Sequence, residues 1–355
     1  MRGFLISRLA HALPAAWVIL SVIFLLSRGL TNQPTEADGS LAGNLAVHVT
    51  TPTQNRLAEY ALRKRRGLDL PLFYVSSRAT PASGGVAWRW RWNGVHNQYH
   101  VWLCGLLRGD LGRSFRDNQP VTTLVSRALT CTLPLTIGAF ITIAGAGWGL
   151  TLLLAHYRSI RPVVVTALHF LQTLPLFVVA LLLLLLLANP DFLDWFPAYG
   201  LARPENSTTG LYQLLSSLYH SVLPLFSLVL VSLPSFVVQW HNALQQELKA
   251  DYILTARAKG VRPSLVIRRH ALRNALLPAI TYLTDLLPAL VAGAVVVELI
   301  FALPGMGRLI AESAAARDFP VVLSGVVLIA LVRLLAQILA DWLYYQADPR
   351  IKLEA

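Results

Sequence analysis

Residues 162–188 read PVVVTALHFLQTLPLFVVALLLLLLLA, a stretch with no aspartate, glutamate, lysine or arginine that closes on an unbroken leucine run from Leu181 to Leu187. A helix rises 1.5 Å per residue, so about 20 apolar residues cross the ~30 Å hydrocarbon core of a bilayer. This stretch is long enough to do so. Five more stretches have the same character, approximately 9–28, 129–155, 218–240, 278–302 and 319–343, so six spans are predicted. Composition agrees: 55% of the 355 residues are hydrophobic and only 14% charged, against roughly 25% charged in a soluble domain. The expected fold class is an all-α, polytopic membrane protein. The 30 Lys+Arg against 18 Asp+Glu give +12. Those charges lie between the apolar runs, which suits an anionic membrane surface and not a nucleic acid.

The first run, Leu9 to Ser27, is flanked by Arg2 and Arg8 and followed by no small-residue cleavage site, so it reads as a retained anchor. Gly145 and Gly149 in the second span form a small-xxx-small pair expected to admit a neighbouring helix. Orientation follows from basic residues in short loops. The connection between spans two and three carries Arg158 and Arg161, and loop 241–277 carries Lys249, Arg257, Lys259, Arg262, Arg268, Arg269 and Arg273. Loop 189–217 has Arg203 against Asp191, Asp194 and Glu205, and loop 303–318 has Arg308 and Arg317 balanced by Glu312 and Asp318. Both termini are therefore expected to be cytoplasmic. The organisation is 1–28 as cytoplasmic N-terminus and first span, 29–128 as an extracytoplasmic segment, 129–346 as the transmembrane core with cytoplasmic loop 241–277, and 347–355 as a tail.

Within 29–128, Thr53 to Arg66 is expected to be helical, capped by Thr53 and stopped by Gly67. Residues 76–97, with Pro81, Gly84, Gly85 and the alternation Trp88-Arg89-Trp90-Arg91-Trp92, read as a loop or hairpin. Alternating tryptophan and arginine can stack on bases or sugars. On a membrane protein an interfacial aromatic anchor with snorkelling arginines is the favoured reading. Cys104 and Cys131 have no metal-ligand spacing, and the helix-spaced pair His96 and His100 is not taken as a metal site.

Loop 241–277 is too long for a simple turn. Asp251 to Lys259 is helix-forming, Gly260 breaks it, and Ser264 to Leu277 resumes after Pro263. Helix, glycine turn, helix with small Ala256 and Ala258 suits docking into a groove of another protein. It equally suits an amphipathic helix resting on anionic lipid.

LTARAKG at 254–260, RRHALRNALLP at 268–278, VVVELIF at 295–301, PGMGRL at 304–309, ARDFPVV at 316–322 and DPRIK at 348–352, with RGLDLPL at 66–72 and GDLGRSF at 109–115, strongly resemble the membrane permease subunits of ATP-binding-cassette importers of the dipeptide/oligopeptide/nickel class. The resemblance covers about 70% of the chain. It implies the six-span type I importer permease fold. It also implies that loop 241–277 is the coupling element, with Thr255, Ala256, Arg257, Ala258, Lys259 and Gly260 seated in a cleft of a separate ATPase subunit. The implied partners are a homologous second permease subunit, two ATPases that hold ATP and magnesium, an extracytoplasmic binding protein and membrane lipid, in a bacterial inner membrane. Leu254 stands where many importers carry the glutamate that names the loop. The Pro-Gly-Asp-Pro-like turn after span one is replaced by Arg28-Gly29-Leu30-Thr31-Asn32, and residues 76–97 look like an insertion.

None of the four lysines, Lys64, Lys249, Lys259 and Lys352, follows a glycine, so the chain has no phosphate-binding loop. It also has no nucleophile–base arrangement, and catalysis is expected in trans. A self-contained secondary transporter or channel, and a membrane enzyme using His169, Gln172 or His220, are the competing classes. The first lacks the expected internal repeat. Glu298 precedes the PGMGRL turn, where Pro304 and Gly305 could fold back as a gate, or form a plain tight turn with Glu298 at the wet interface. Asp285 in span five and Arg333 in span six are expected at similar depth, each costing at least ~2.5–3.5 kcal/mol if unpaired in lipid. With Gln337 and Asp341, Arg333 forms a polar stripe, and Asp285 and Arg333 are expected to pair, directly or through water, either near the cytoplasmic half of the translocation path or as a structural bridge between helices away from it.

Overall fold

A computed structural model describes residues 14, 17–28, 69–82, 85–200, 210–262 and 265–347. The expected helix at 53–66 and the 348–355 tail lie outside the described residues. The described chain is mostly helical. Its elements are α1 (Trp17–Arg28), β1 (Val75–Ala82), β2 (Gly85–Trp92), α2 (Gln98–Leu107), α3 (Val121–His156), α4 (Arg161–Gln172), α5 (Leu176–Leu187), α6 (Gly210–Glu247), α7 (Asp251–Ala258), α8 (Leu272–Ile300), α9 (Met306–Ala315) and α10 (Phe319–Ala347). They divide between two compact units, one drawn from residues 126–311 and 328–355, the other from 11–125 and 312–327.

Four helices among the described residues, α3, α6, α8 and α10, are long and apolar enough to cross a membrane, and these correspond to expected spans two, four, five and six. The first expected span is described only over the 12 apolar residues of α1. The third departs from expectation. It is not one rod but two helices, α4 and α5, bent by 101°. Pro175 is the cause. Its ring disfavours the helical conformation of Leu174, and it has no N–H to continue α4. Pro175 itself is extended at φ −64, ψ 142, while its carbonyl accepts from Val178 and Val179 at 3.1 Å to start α5. Thr173 closes the end of α4 by donating its hydroxyl to Phe170 O at 2.7 Å.

The Trp/Arg alternation forms a hairpin, the one two-stranded sheet among the described residues. β1 and β2 pair antiparallel with Val75 opposite Trp92, Ser77 opposite Trp90 and Arg78 opposite Arg89. Period-two alternation divides a strand between two faces, so tryptophans occupy one set of register positions and arginines the other.

In the first unit Trp240, Phe236, Leu244, Ile143, Leu223 and Leu290 are buried where α3, α6 and α8 pack. The expected contact at Gly145 and Gly149 does not form within the chain: both have open space where a Cβ would stand. Gly147 is the glycine that matters, because a Cβ there would collide with the Phe236 ring. At 100° per residue, position 147 faces away from 145 and 149, so one turn of α3 carries a tight inner contact and an open outer stripe.

Candidate functional site

The segment after α6 folds as expected and for identifiable reasons. Helix α7 ends in a Schellman motif: Gly260 N donates to Arg257 O at 2.9 Å and Val261 N to Ala256 O at 3.2 Å, with Gly260 at φ +78. A left-handed residue is required there, and glycine supplies it without a Cβ clash.

The faces of α7 correct the expectation for Ala256. Ile253 and Ala256, three residues apart, are buried in the chain's own core with Val266, Ala271 and Leu272. The small side chain of Ala256 therefore admits α7 to its own protein. What points outward is Leu254, 55% exposed, together with Thr255, Arg257, Ala258, Lys259 and Gly260. The outer face of α7 thus sets an exposed leucine beside two cations.

Helix α7 is also tied to both neighbouring spans. The Tyr252 hydroxyl donates to the Glu247 carboxylate at the end of α6, and Asn274 Nδ2 of α8 donates to Tyr252 Oη at 3.1 Å and to Glu247 Oε2 at 3.4 Å. Burial, with the Glu247 hydrogen bond, pushes the Tyr252 phenol up to about 12. Between α7 and α8, Val266–Ala271 is a π-helical turn, a rare geometry frequent at functional sites.

The turn between α8 and α9 is built around Glu298, which is 0% exposed. Its Oε1 accepts from Thr132 Oγ1 at 2.6 Å and its Oε2 from Arg308 N at 3.1 Å. Thr132 Oγ1 in turn accepts from Met306 N at 2.7 Å. Arg308 Nη1 donates to Ala302 O at 2.9 Å. A Cβ at Gly305 would strike the Glu298 carboxylate, and one at Gly307 the Val295 backbone. Pro304 is exposed. The expectation of Glu298 at a wet interface is corrected: its carboxylate braces a turn that enters helix α9.

Asp285, Arg333 and Gln337 are exposed on the single chain, whereas Asp341 is buried. The expected direct ion pair between Asp285 and Arg333 is absent from the described structure. Where the two helices do meet, Thr281 of α8 and Tyr344 of α10 are hydrogen-bonded through their hydroxyls.

Residues 132–353 match the family described as "Binding-protein-dependent transport system inner membrane component". The chain belongs to this family. It is 33% identical to the dipeptide transport system permease protein DppB of Alkalihalophilus pseudofirmus over 72% of this chain and 81% of the relative. It is 30% identical to a putative peptide transport system permease protein of Brucella abortus over 100% of both chains. The glutathione transport system permease protein GsiC of Pectobacterium atrosepticum is 29% identical over 99% of both. A solved structure titled as inward facing conformations of the MetNI methionine ABC transporter covers 64% of this chain and 97% of its own, with 17% identity and a TM-score of 0.49.

This permease is a transport component and a multi-pass membrane protein, not an enzyme, and its matched region holds α7, the Glu298 turn, Asp285 and Arg333. Among the described residues no cluster of metal-ligating side chains exists, and Cys104 and Cys131 are free thiols. Sequence reasoning missed Thr132, whose partner Glu298 is 166 positions away, and the Tyr252–Asn274 contact across 22 positions. It also missed how the GDLGRSF loop is held. Asp318 of the ARDFPVV motif, 2% exposed, accepts from the Ser114 hydroxyl and, at 2.9 Å, from Phe115 N. Ser114 Oγ meanwhile accepts from Asp117 N at 3.0 Å. The two motifs form one folded unit.

Proposed function

We propose that this permease forms half of a translocation pore for peptides, paired with a homologous second permease subunit in a bacterial inner membrane. Cargo is delivered by an extracytoplasmic binding protein. Two ATPases, holding ATP and magnesium, drive the cycle by engaging α7 from the cytoplasm, where both termini of the permease also lie. The relatives named above for dipeptides, peptides and glutathione support an amide-linked cargo.

The observation that carries the reading is the construction of α7. Its inner face is anchored by Ile253 and Ala256, its outer face is exposed at Leu254, Thr255, Arg257, Ala258, Lys259 and Gly260, and Tyr252 ties it to α6 and α8. A partner that moves α7 moves both spans as one body. Exposed Asp285, Arg333 and Gln337 on α8 and α10, and the open Gly145/Gly149 stripe on α3, support faces turned to a second subunit or to water in the pore. The Glu298 turn, with exposed Pro304 and with Gly305 against the carboxylate, supports a rigid outer element against which the binding protein acts.

The test is crosslinking from Ala258→Cys to the co-expressed ATPase, in parallel with uptake of labelled dipeptides and longer peptides by the reconstituted complex. ATP-dependent uptake with a permease–ATPase crosslink is expected. Uptake that persists without any ATPase would overturn the proposal in favour of a self-contained transporter.

A further inference from the structure

We propose that the tryptophan face of the β1–β2 hairpin is a lipid-binding surface, seated in the headgroup zone of the bilayer beside α1. Depth is the first argument. The sequence from Leu9 to Ser27 is 19 residues without a charge, the length expected of a spanning segment, and it ends at Arg28, the last residue of α1. Arg28 therefore marks the membrane boundary. Its guanidinium lies over the Phe24 and Phe115 rings, 5.6 and 5.4 Å from their centroids.

Helix α2 does not stand above that boundary. The Tyr99 and Ser21 hydroxyls are hydrogen-bonded at 2.6 Å, and Ser21 is seven residues, ~10 Å, inward from Arg28. Trp102 stacks on Phe24 with centroids 4.8 Å apart. The connection before span two thus packs along α1 at membrane depth. α2 contains no Asp, Glu, Lys or Arg, and it exposes Val101 at 57% and Leu107 at 80%.

The hairpin continues this aromatic wall outward. Tyr99 packs edge-on against Phe73 and Tyr74, and Tyr74 stacks on Trp92 at 5.9 Å. Beyond it, Trp92 and Trp90 are 71% and 74% exposed, with Val75 opposite Trp92 and Ser77 opposite Trp90. Rings with one apolar body and one polar N–H collect where hydrocarbon meets water. Arg91, on the other face of β2, sits where the phosphate layer lies, and arginine reaches that layer readily. The polar backbone at the hairpin base is satisfied, as residence near lipid demands: Asn93 Nδ2 donates to Phe73 O at 2.9 Å and Gln98 Nε2 to Leu70 O at 2.7 Å.

The test is spin-label depth measurement on the full-length permease in nanodiscs of phosphatidylethanolamine and phosphatidylglycerol, with Cys104→Ser and Cys131→Ser removing native thiols. Labels at Ser77→Cys and Trp90→Cys report one face, and a label at Arg91→Cys the other. The expected ratio of oxygen to nickel-chelate accessibility is several-fold higher at positions 77 and 90 than at 91. Equal ratios on the two faces would overturn the proposal. So would shielding of positions 77 and 90 that appears only when a binding protein or a second subunit is added. Ser77→Cys is a near-isosteric change, so the measurement stands even if Trp90→Cys fails to fold.

Discussion

Thr132 on α3 donates its hydroxyl to Glu298 on α8 at 2.6 Å, across 166 positions of sequence, and both residues are buried. The same oxygen accepts the Met306 backbone N–H at 2.7 Å. One hydroxyl therefore satisfies the start of α9 and one oxygen of a buried carboxylate at once. Thr132→Val keeps the shape and removes both bonds. Leaving the buried Met306 N–H unpartnered and the Glu298 carboxylate one donor short costs about 1–3 kcal/mol in all, so the unfolding midpoint in detergent should fall below that of the parent. An unchanged midpoint would show that the brace contributes nothing.

Gly147→Ala and Gly145→Ala make the same chemical change on opposite sides of α3. The first drives a methyl into the Phe236 ring and should cost about 1–3 kcal/mol, as overpacked cores do. The second meets open space and should leave the isolated permease as stable as the parent. It should reduce recovery of the assembled complex if that stripe receives a second subunit. Thermal unfolding and co-purification yield separate the two effects.

A similar contrast tests α7. Ala256→Trp inserts an indole into the core shared with Ile253, Val266 and Leu272 and should lower the amount of folded permease in membranes. Ala258→Trp sits on the exposed face, so it should leave the permease folded while weakening ATPase co-purification. Equal behaviour of the two variants would contradict the inward orientation of Ala256.

Tyr252→Phe removes the hydroxyl that joins Glu247 and Asn274. The ring and its packing remain, so stability should fall by no more than about 1 kcal/mol. The expected defect is mechanical: in the reconstituted importer, peptides transported per ATP hydrolysed should drop while hydrolysis continues. A ratio equal to the parent's would remove Tyr252 from the coupling route.

No ion pair joins Asp285 to Arg333 among the described residues, and the mutational effects of residues without shared partners normally add within about 0.3–0.5 kcal/mol. Asp285→Leu and Arg333→Leu should therefore act independently in a double-mutant cycle on folded yield. A double variant that folds better than either single one would restore the direct pair.

The apolar runs carry most of the fold in legible form, because a bilayer imposes one length and one composition on any helix that crosses it. The glycine stop of α7 was legible too, since position 260 needs a left-handed residue. The direction of Ala256 could have been read from its three-residue spacing to Ile253 on an eight-residue helix. The broken third span hid behind its composition. Pro175 carries the signal, but whether a proline kinks or breaks a span depends on what accepts the freed carbonyls. Thr132–Glu298 and Ser114–Asp318 join residues 166 and 204 positions apart, and no local pattern encodes such pairs.

The bend at Pro175 makes lipid itself a variable. Helices α4 and α5 have 12 residues each, about 18 Å apiece, and turned through 101° their far ends stand only about 23 Å apart. The hydrocarbon is ~30 Å thick. Straight, the same residues would have overshot it. At this element the bilayer must thin or the flanking residues must reach further to cover the gap. Acyl-chain length becomes a control on the angle between α4 and α5, acting on the joint from outside the protein.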